Sequence, residues 1–332
     1  MQARRKIIQI FIFFGIDGYP ENHSVRTFSK EELGELLKNS GFPFLHFYYP
    51  YPDYKFPTEI FTDESLYTNS YGRNYPVYTD KTAALFSESE GVKAFEKEKI
   101  LDRFVNSFLV EAGKSEVKEE EEILYVKLNQ GRKKRFRLLT RIIRRNGENL
   151  GRKRGYGPGG RKGLWKNWRS LEQKAWAHDR YQNLPCKAEQ GKIVYPLLNG
   201  KTLHQEIREL ADKGNVDEIK ELLKGLYQEL FAARKVTDYR TEEFRQVFGS
   251  YEGREDYECI CPANVDLICS NIFMGEKENQ IIDYEWMFSF PVPVNFIMWR
   301  LIHELYTHIS KLPQLIHEDD MMAEFGIGYT GL

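Results

Sequence analysis

The sequence predicts a chain in two parts: a short α/β segment over residues 1–112, then an α+β domain over 123–332 whose strand-rich half comes first. Three observations predict it. An early capped helix leads into an aromatic strand. An acidic run at 113–122 (GKSEVKEEEE) then breaks every hydrophobic period and reads as a linker. Beyond it, strand signals give way to long amphipathic helices.

The elements follow in order. Ser29-Lys-Glu-Glu32 is a capping box, in which the serine oxygen and the glutamate each satisfy an orphan helix N–H. A helix is therefore expected through Asn39, with Gly41 as its stop. Phe42 to Tyr51 reads as a strand, and Pro50, Pro52 and Pro57 force the chain after it into an extended loop. Helical spacing returns at Phe95–Phe104, and a short strand is expected at Ser107–Glu111. After the linker, Ile123–Leu128 and Phe136–Ile143 read as two strands joined by a basic turn. Residues 151–163 (GRKRGYGPGGRKG) carry neither period, so no strand is expected around Lys153. A helix at Leu171–Tyr181, a strand at Lys192–Leu198, and helices at Leu203–Lys213 and Val216–Lys235 follow. Turn, strand, turn and strand are expected over Val265–Asp283, and Phe296–Ile309 reads as a buried helix.

Composition narrows the function classes. A hydrophobic content of 41% with 14% aromatics suffices for packed cores, and a net charge of −1 gives no global pull towards nucleic acid or anionic membranes. Four cysteines make no disulfide framework. Cys259 and Cys261 lack a second pair at zinc spacing, so reduced thiols and a cytoplasmic location are expected. Arg4, Arg5 and Lys6 before the apolar run Ile7–Ile16 imitate a secretory leader, but no small-residue cleavage site follows, and the run is too short to span a bilayer.

The chemistry concentrates near residue 270. Asp266-Leu-Ile-Cys-Ser-Asn271 sets an aspartate and an asparagine five positions apart, and Asp283 ends the apolar strand Gln280-Ile-Ile282. Phosphoryl transfer explains these residue types. One carboxylate orients a hydroxyl, while an amide oxygen and a second carboxylate can hold magnesium against nucleotide phosphates. A hairpin turning at Gly275–Asn279 is required to bring Asp283 beside Asn271. A polar hairpin capped by its own side chains is the structural alternative.

The segments VDLICSNIF and IIDYEW resemble kinase-like phosphotransferases, including the aminoglycoside and choline kinase branches. That resemblance implies a two-lobed fold, ATP and Mg2+ as cofactors, Asp266 as the catalytic residue, and Asn271 and Asp283 as metal ligands. It also implies a phosphate-contacting lysine on the third strand, for which Lys153 is the candidate. The implied partners are a nucleotide and a hydroxyl-bearing, sugar-type substrate. The chain departs from the pattern at Asn264, where a histidine is usual, and at Tyr284-Glu285-Trp286. A one-base shift of reading over 151–170 would turn that run into a lysine-bearing strand end leading into a helix.

Residues 14–112, with R-T-F-S-K-E-E-L, FLHFYYPYPDYKFPT and FVNSFLVE, resemble the end of a class I methyltransferase of the kind encoded with bacterial surface-polysaccharide genes. The resemblance implies a partial methyltransferase sheet. The G-x-G-x-G turn and following acid that would hold S-adenosylmethionine are missing, so neither that cofactor nor methyl transfer is expected. Two other classes remain. One is a non-catalytic pseudokinase scaffold. The other is nucleic-acid binding through residues 132–169, where fifteen Arg and Lys interleave with Tyr156, Trp165 and Trp168. Arg137, Arg141, Arg144 and Arg145 fall on predicted strands or their turns, where a solvated face is the ordinary expectation.

Overall fold

The computed structural model describes residues 6–8, 28–67, 88–116, 120–129, 131–134, 137–156, 177–178, 180–250 and 256–328. The protein is a mixed α/β chain that divides into two compact units. One comprises residues 1–162 with 187–197, the other residues 163–186 with 198–332. Elements are numbered below in chain order.

The first unit is built on one nine-stranded antiparallel sheet. Its strands are β1 (Lys6–Ile8), β2 (Phe44–Tyr51), β3 (Glu59–Thr62), β4 (Leu109–Gly113), β5 (Glu122–Leu128), β6 (Leu138–Arg145), β7 (Glu148–Gly155), β10 (Lys187–Glu189) and β11 (Lys192–Pro196). Their spatial order is β1-β4-β2-β3-β5-β6-β7-β11-β10. The capping box forms as expected: Ser29 caps α1 (Lys30–Asn39), and Glu32 returns to the Ser29 N–H. Leu33 and Leu37, one turn apart, face the sheet and pack with Tyr49, Phe61, Val110 and Tyr125 in a single core.

The acidic run does not separate two sheets. β3, before it, pairs directly with β5, after it, through Glu59↔Lys127, Ile60↔Val126 and Phe61↔Tyr125. Thr62 Oγ1 also donates to the Leu124 carbonyl at 2.8 Å. Other expectations shift. The helix placed at 95–104 is α2 at Glu88–Lys97, followed by a 3-10 turn at Leu101–Arg103. The strand placed at 107–111 runs Leu109–Gly113.

The run around Lys153, expected to be irregular, is strand β7 through Gly155. It pairs residue for residue with β6, and on its other side with β11. Pairing on both edges supplies the backbone partners that its basic composition hides. Gly151 is required there, because a Cβ at that position would sit 2.0 Å from the Tyr195 ring.

The second unit packs helices on short sheets. Its strands begin with β8 (Ala177–His178) and β9 (Tyr181–Asn183), where a helix over 171–181 was expected; residues 171–176 lie outside the described residues. β9 is a strand because it pairs in parallel with β16 (Asn279–Ile281), a partner about a hundred residues away that local periodicity does not reveal. Helix α3 (Leu203–Lys213) matches its expected bounds. A Thr202–Gln205 capping box opens it, and Gly214, at φ +79°, closes it. Helix α4 (Val216–Leu230) ends earlier than expected, because Lys235–Asp238 leaves to form β12.

Ile207 and Leu210 of α3 pack with Ile219, Leu223, Leu226 and Leu230 of α4 and with α6 (Val294–His308) in the main core. Each such buried aliphatic side chain contributes about 1.5–3 kcal/mol, which makes this core the anchor for the loops described next. Among the described residues no helix is long and apolar enough to cross a membrane. The four cysteines are free thiols.

Candidate active site

The loop that carries Asp266, Asn271 and Asp283 is fixed by an alternation of anchors and polar groups. Leu267, Cys269, Ile272 and Ile281 are all fully buried in the core of the second unit. Asn271, between two of these anchors, is buried with them at 9% exposure, while Asp266, just before Leu267, is left partly exposed. Burial pushes the Cys269 thiol well above its ordinary pKa, consistent with a packing role.

The loop starts from β14 (Ala263–Asn264), which pairs with β17 (Met287–Phe288). Asn264 Oδ1 accepts the Asp266 N–H at 3.1 Å. The Asp266 carbonyl accepts twice, from the Ile268 N–H at 3.0 Å and from Asn271 Nδ2 at 2.9 Å. Asn271 closes a 3-10 turn at Cys269–Asn271, and β15 (Ile272–Phe273) follows. β15 forms the expected hairpin with β16, in register Ile272↔Ile281. Its turn is closed by the Gly275 N–H donating to Asn279 Oδ1. Ile282 N–H then donates to the Asn271 carbonyl at 2.9 Å, which brings Asp283 beside Asn271.

Asp283 sits at φ 55°, ψ 40°, the left-handed region that a side chain other than glycine seldom adopts. Three polar residues separated in sequence are thus linked, Asn271 to Asp266 through its side-chain amide and Asn271 to Ile282, the neighbour of Asp283, through a main-chain bond. Asp266 and Asn271 are linked directly, and Asn271 and Asp283 across one ladder position. Lys153 lies in the other compact unit, on β7, and is buried.

The donor chemistry fits a hard cation. Because the Asn271 amide nitrogen donates to Asp266, its oxygen is directed the other way, as an acceptor. An amide oxygen and a carboxylate are the kind of ligands magnesium takes from a protein when phosphates and water complete its shell. Among the described residues no three His, Cys, Asp or Glu side chains cluster as a metal site.

Sequence reasoning missed Arg300. From α6 its Nε donates to the Val265 carbonyl at 2.8 Å, and its Nη2 pairs with Asp266 Oδ1 at 3.1 Å. The available signal was the one arginine in a helix whose first half is otherwise mostly apolar. It also missed the state of Asn264, fully buried with its Nδ2 unpartnered among the described residues. Tyr284 and Trp286 pack against the core, as expected of spacers, and Tyr284 donates to the Leu184 carbonyl at 2.6 Å. A separate aromatic cavity of about 700 Å3, lined by Tyr239, Phe244, Phe248, Phe296 and Trp299 among others, does not include Asp266, Asn271 or Asp283.

The first unit's sheet and the second unit's helices make this a mixed α/β protein with a large antiparallel sheet. No protein-family model and no curated protein matches the sequence. Among solved structures the chain is similar to the choline kinase LicA from Streptococcus pneumoniae, with a TM-score of 0.30, 13% identity, and coverage of 61% of this chain and 75% of that one. It is also similar to LicA in complex with AMP, with a TM-score of 0.27, 15% identity, and coverage of 63% and 75%.

Proposed function

We propose that the protein is a kinase-like phosphotransferase that uses ATP and Mg2+ and acts on a hydroxyl of a sugar-type substrate. The observation that supports it best is the Asn271 Nδ2–Asp266 carbonyl bond, continued by the hairpin to Asp283. It leaves the Asn271 amide oxygen as an acceptor, with Asp283 one residue beyond the main-chain bond to Asn271 and Asp266 at the other end of the turn. The resemblance of residues 14–112 to surface-polysaccharide methyltransferases supports placing the reaction in such a pathway, with those residues as a partial methyltransferase sheet that no longer methylates.

Asn271 and Asp283 would hold the magnesium, which when bound neutralises charge on the phosphates. The remaining work falls to this chain's side chains. Asp266 is held at its main chain by Asn264, Ile268 and Asn271, and at its carboxylate by Arg300. Its carboxylate orients the incoming hydroxyl and takes the proton as the new oxygen–phosphorus bond forms and the bond to the leaving phosphate oxygen breaks. Lys153 is the candidate for the nucleotide phosphates.

Calorimetric titration of the full chain with ATP, with and without Mg2+, tests this. Mg2+-dependent binding is expected. Asp283→Asn should abolish the Mg2+ dependence with the fold intact, and Asp266→Ala should keep binding while removing turnover. A folded chain that binds no nucleotide would leave the non-catalytic scaffold reading in its place.

A further inference from the structure

We infer that the face of the first unit's sheet carrying Arg141, Arg152 and Arg154 is a binding site for a small phosphate-class anion. The register places these residues together. Arg141 on β6 lies directly opposite Arg152 on β7, and Arg154, two positions on, shares its face. Like charges directly opposed in a ladder repel, so this arrangement works against the sheet unless something neutralises it.

Among the described residues the protein's own acids do not suffice. Arg152 Nη1 pairs closely with Glu121, but Glu121 also lies 3.7 Å from Arg145. Glu189 is taken by Arg145 at 2.9 Å, and Glu64 and Glu122 are taken by Arg144. That leaves Arg141 and Arg154 with no ion pair among the described residues, and the Nε of each is buried with no hydrogen-bond partner. At Arg141 the expectation of a solvated basic face is therefore corrected, while Arg144 and Arg145 stay about a third exposed, and Arg152 is only 7% exposed. Burial, then the charges of Arg152 and Arg154, pull the Arg141 guanidinium below its ordinary pKa.

A guanidinium holds its proton at any ordinary pH, so these groups cannot shed charge as a buried lysine would. An oxyanion is the remaining remedy, and its paired oxygens match the guanidinium fork. Strand alternation turns Lys153 to the opposite face, so this site is distinct from the one assigned to the nucleotide and does not depend on the phosphotransferase reading. Burial argues for a small ligand, because a nucleic-acid backbone cannot reach these nitrogens. Free phosphate, a sugar phosphate and a nucleotide share the required chemistry.

The test is thermal unfolding and calorimetry of the full chain in inorganic phosphate against chloride at matched ionic strength. Wild type should show a midpoint that climbs with the logarithm of phosphate concentration. Arg141→Met should weaken phosphate binding roughly tenfold or more. Arg141→Met with Arg154→Met should lose the climb while being no less stable in chloride. Lys153→Met should keep it. Should the double variant not fold, Arg141→Gln with 31P line broadening gives the same comparison. Glucose 6-phosphate and AMP, run in parallel, separate the sources by which one binds tightest. Wild type without a phosphate-specific climb would overturn the inference, as would a climb that survives in both arginine variants.

Discussion

Replacing Asn271 tests whether its amide organises the loop. In Asn271→Ala the Nδ2 bond to the Asp266 carbonyl, 2.9 Å long, is lost, but that carbonyl keeps the Ile268 N–H at 3.0 Å. The loss is therefore close to one net hydrogen bond, about 0.5–1.5 kcal/mol, rather than the full penalty of an orphaned buried acceptor. Truncating a side chain only 9% exposed adds some lost packing. A total of about 1–2 kcal/mol corresponds to roughly 2–8 °C in the midpoint for a unit of this size. Asn271→Asp should be worse despite its matching shape, because a carboxylate oxygen would replace the donor and face the Asp266 carbonyl. The expected order of stability is Asn, then Ala, then Asp, read by urea unfolding followed through tryptophan fluorescence. A solvated asparagine would give three values within about 0.5 kcal/mol of one another. If Asn271→Asp is as stable as wild type, the amide does not hold the loop, and the orientation inferred for its oxygen goes with it.

Two further outcomes are expected. Gly151→Ala should destabilise the first unit by about 1–3 kcal/mol, since its Cβ would overlap the Tyr195 ring, and Tyr195→Ala in the same chain should recover part of the loss; simple additivity in the double variant would count against that overlap. Deleting residues 1–112 should yield an aggregating product, because it strips the β3 partner from β5 and uncovers Tyr125 and Leu124; a monodisperse fragment by light scattering, unfolding in one cooperative step, would refute this.

What the sequence revealed is what local physics determines. The capping box at Ser29, the helical period of Leu203–Lys213 and the hairpin at Gly275–Asn279 each depend on residues close to one another in sequence. The turn at Asp266–Asn271 and the hairpin after it were legible from their position before the apolar strand that ends at Asp283. What stayed hidden depends on distant partners. β7 carries arginines and lysine where a strand signal would carry alternating apolar residues, and it exists because β6 and β11 flank it. β9 is held by β16, and β3 by β5, across separations that no window spans. Arg300 was invisible as a partner of Asp266 because the two are brought together only by the packing of α6 on the loop.

The distribution of local cost supports the reading of that loop. A non-glycine residue held in the left-handed region costs on the order of 1–3 kcal/mol, and Asp283 is held there. A buried donor without a partner costs a similar amount, and Asn264 Nδ2 is such a donor. A hairpin with only a structural task could avoid both, with glycine at 283 and a smaller side chain at 264. Instead Asn264 lies two residues before Asp266, and Asp283 follows Ile282, whose N–H bonds the Asn271 carbonyl. Structure that is locally unfavourable, and anchored on both sides by fully buried Leu267, Cys269, Ile272 and Ile281, is over-determined by its surroundings. That combination is how a fold holds polar side chains in a geometry they would not choose, and it supports the chemistry proposed for this loop.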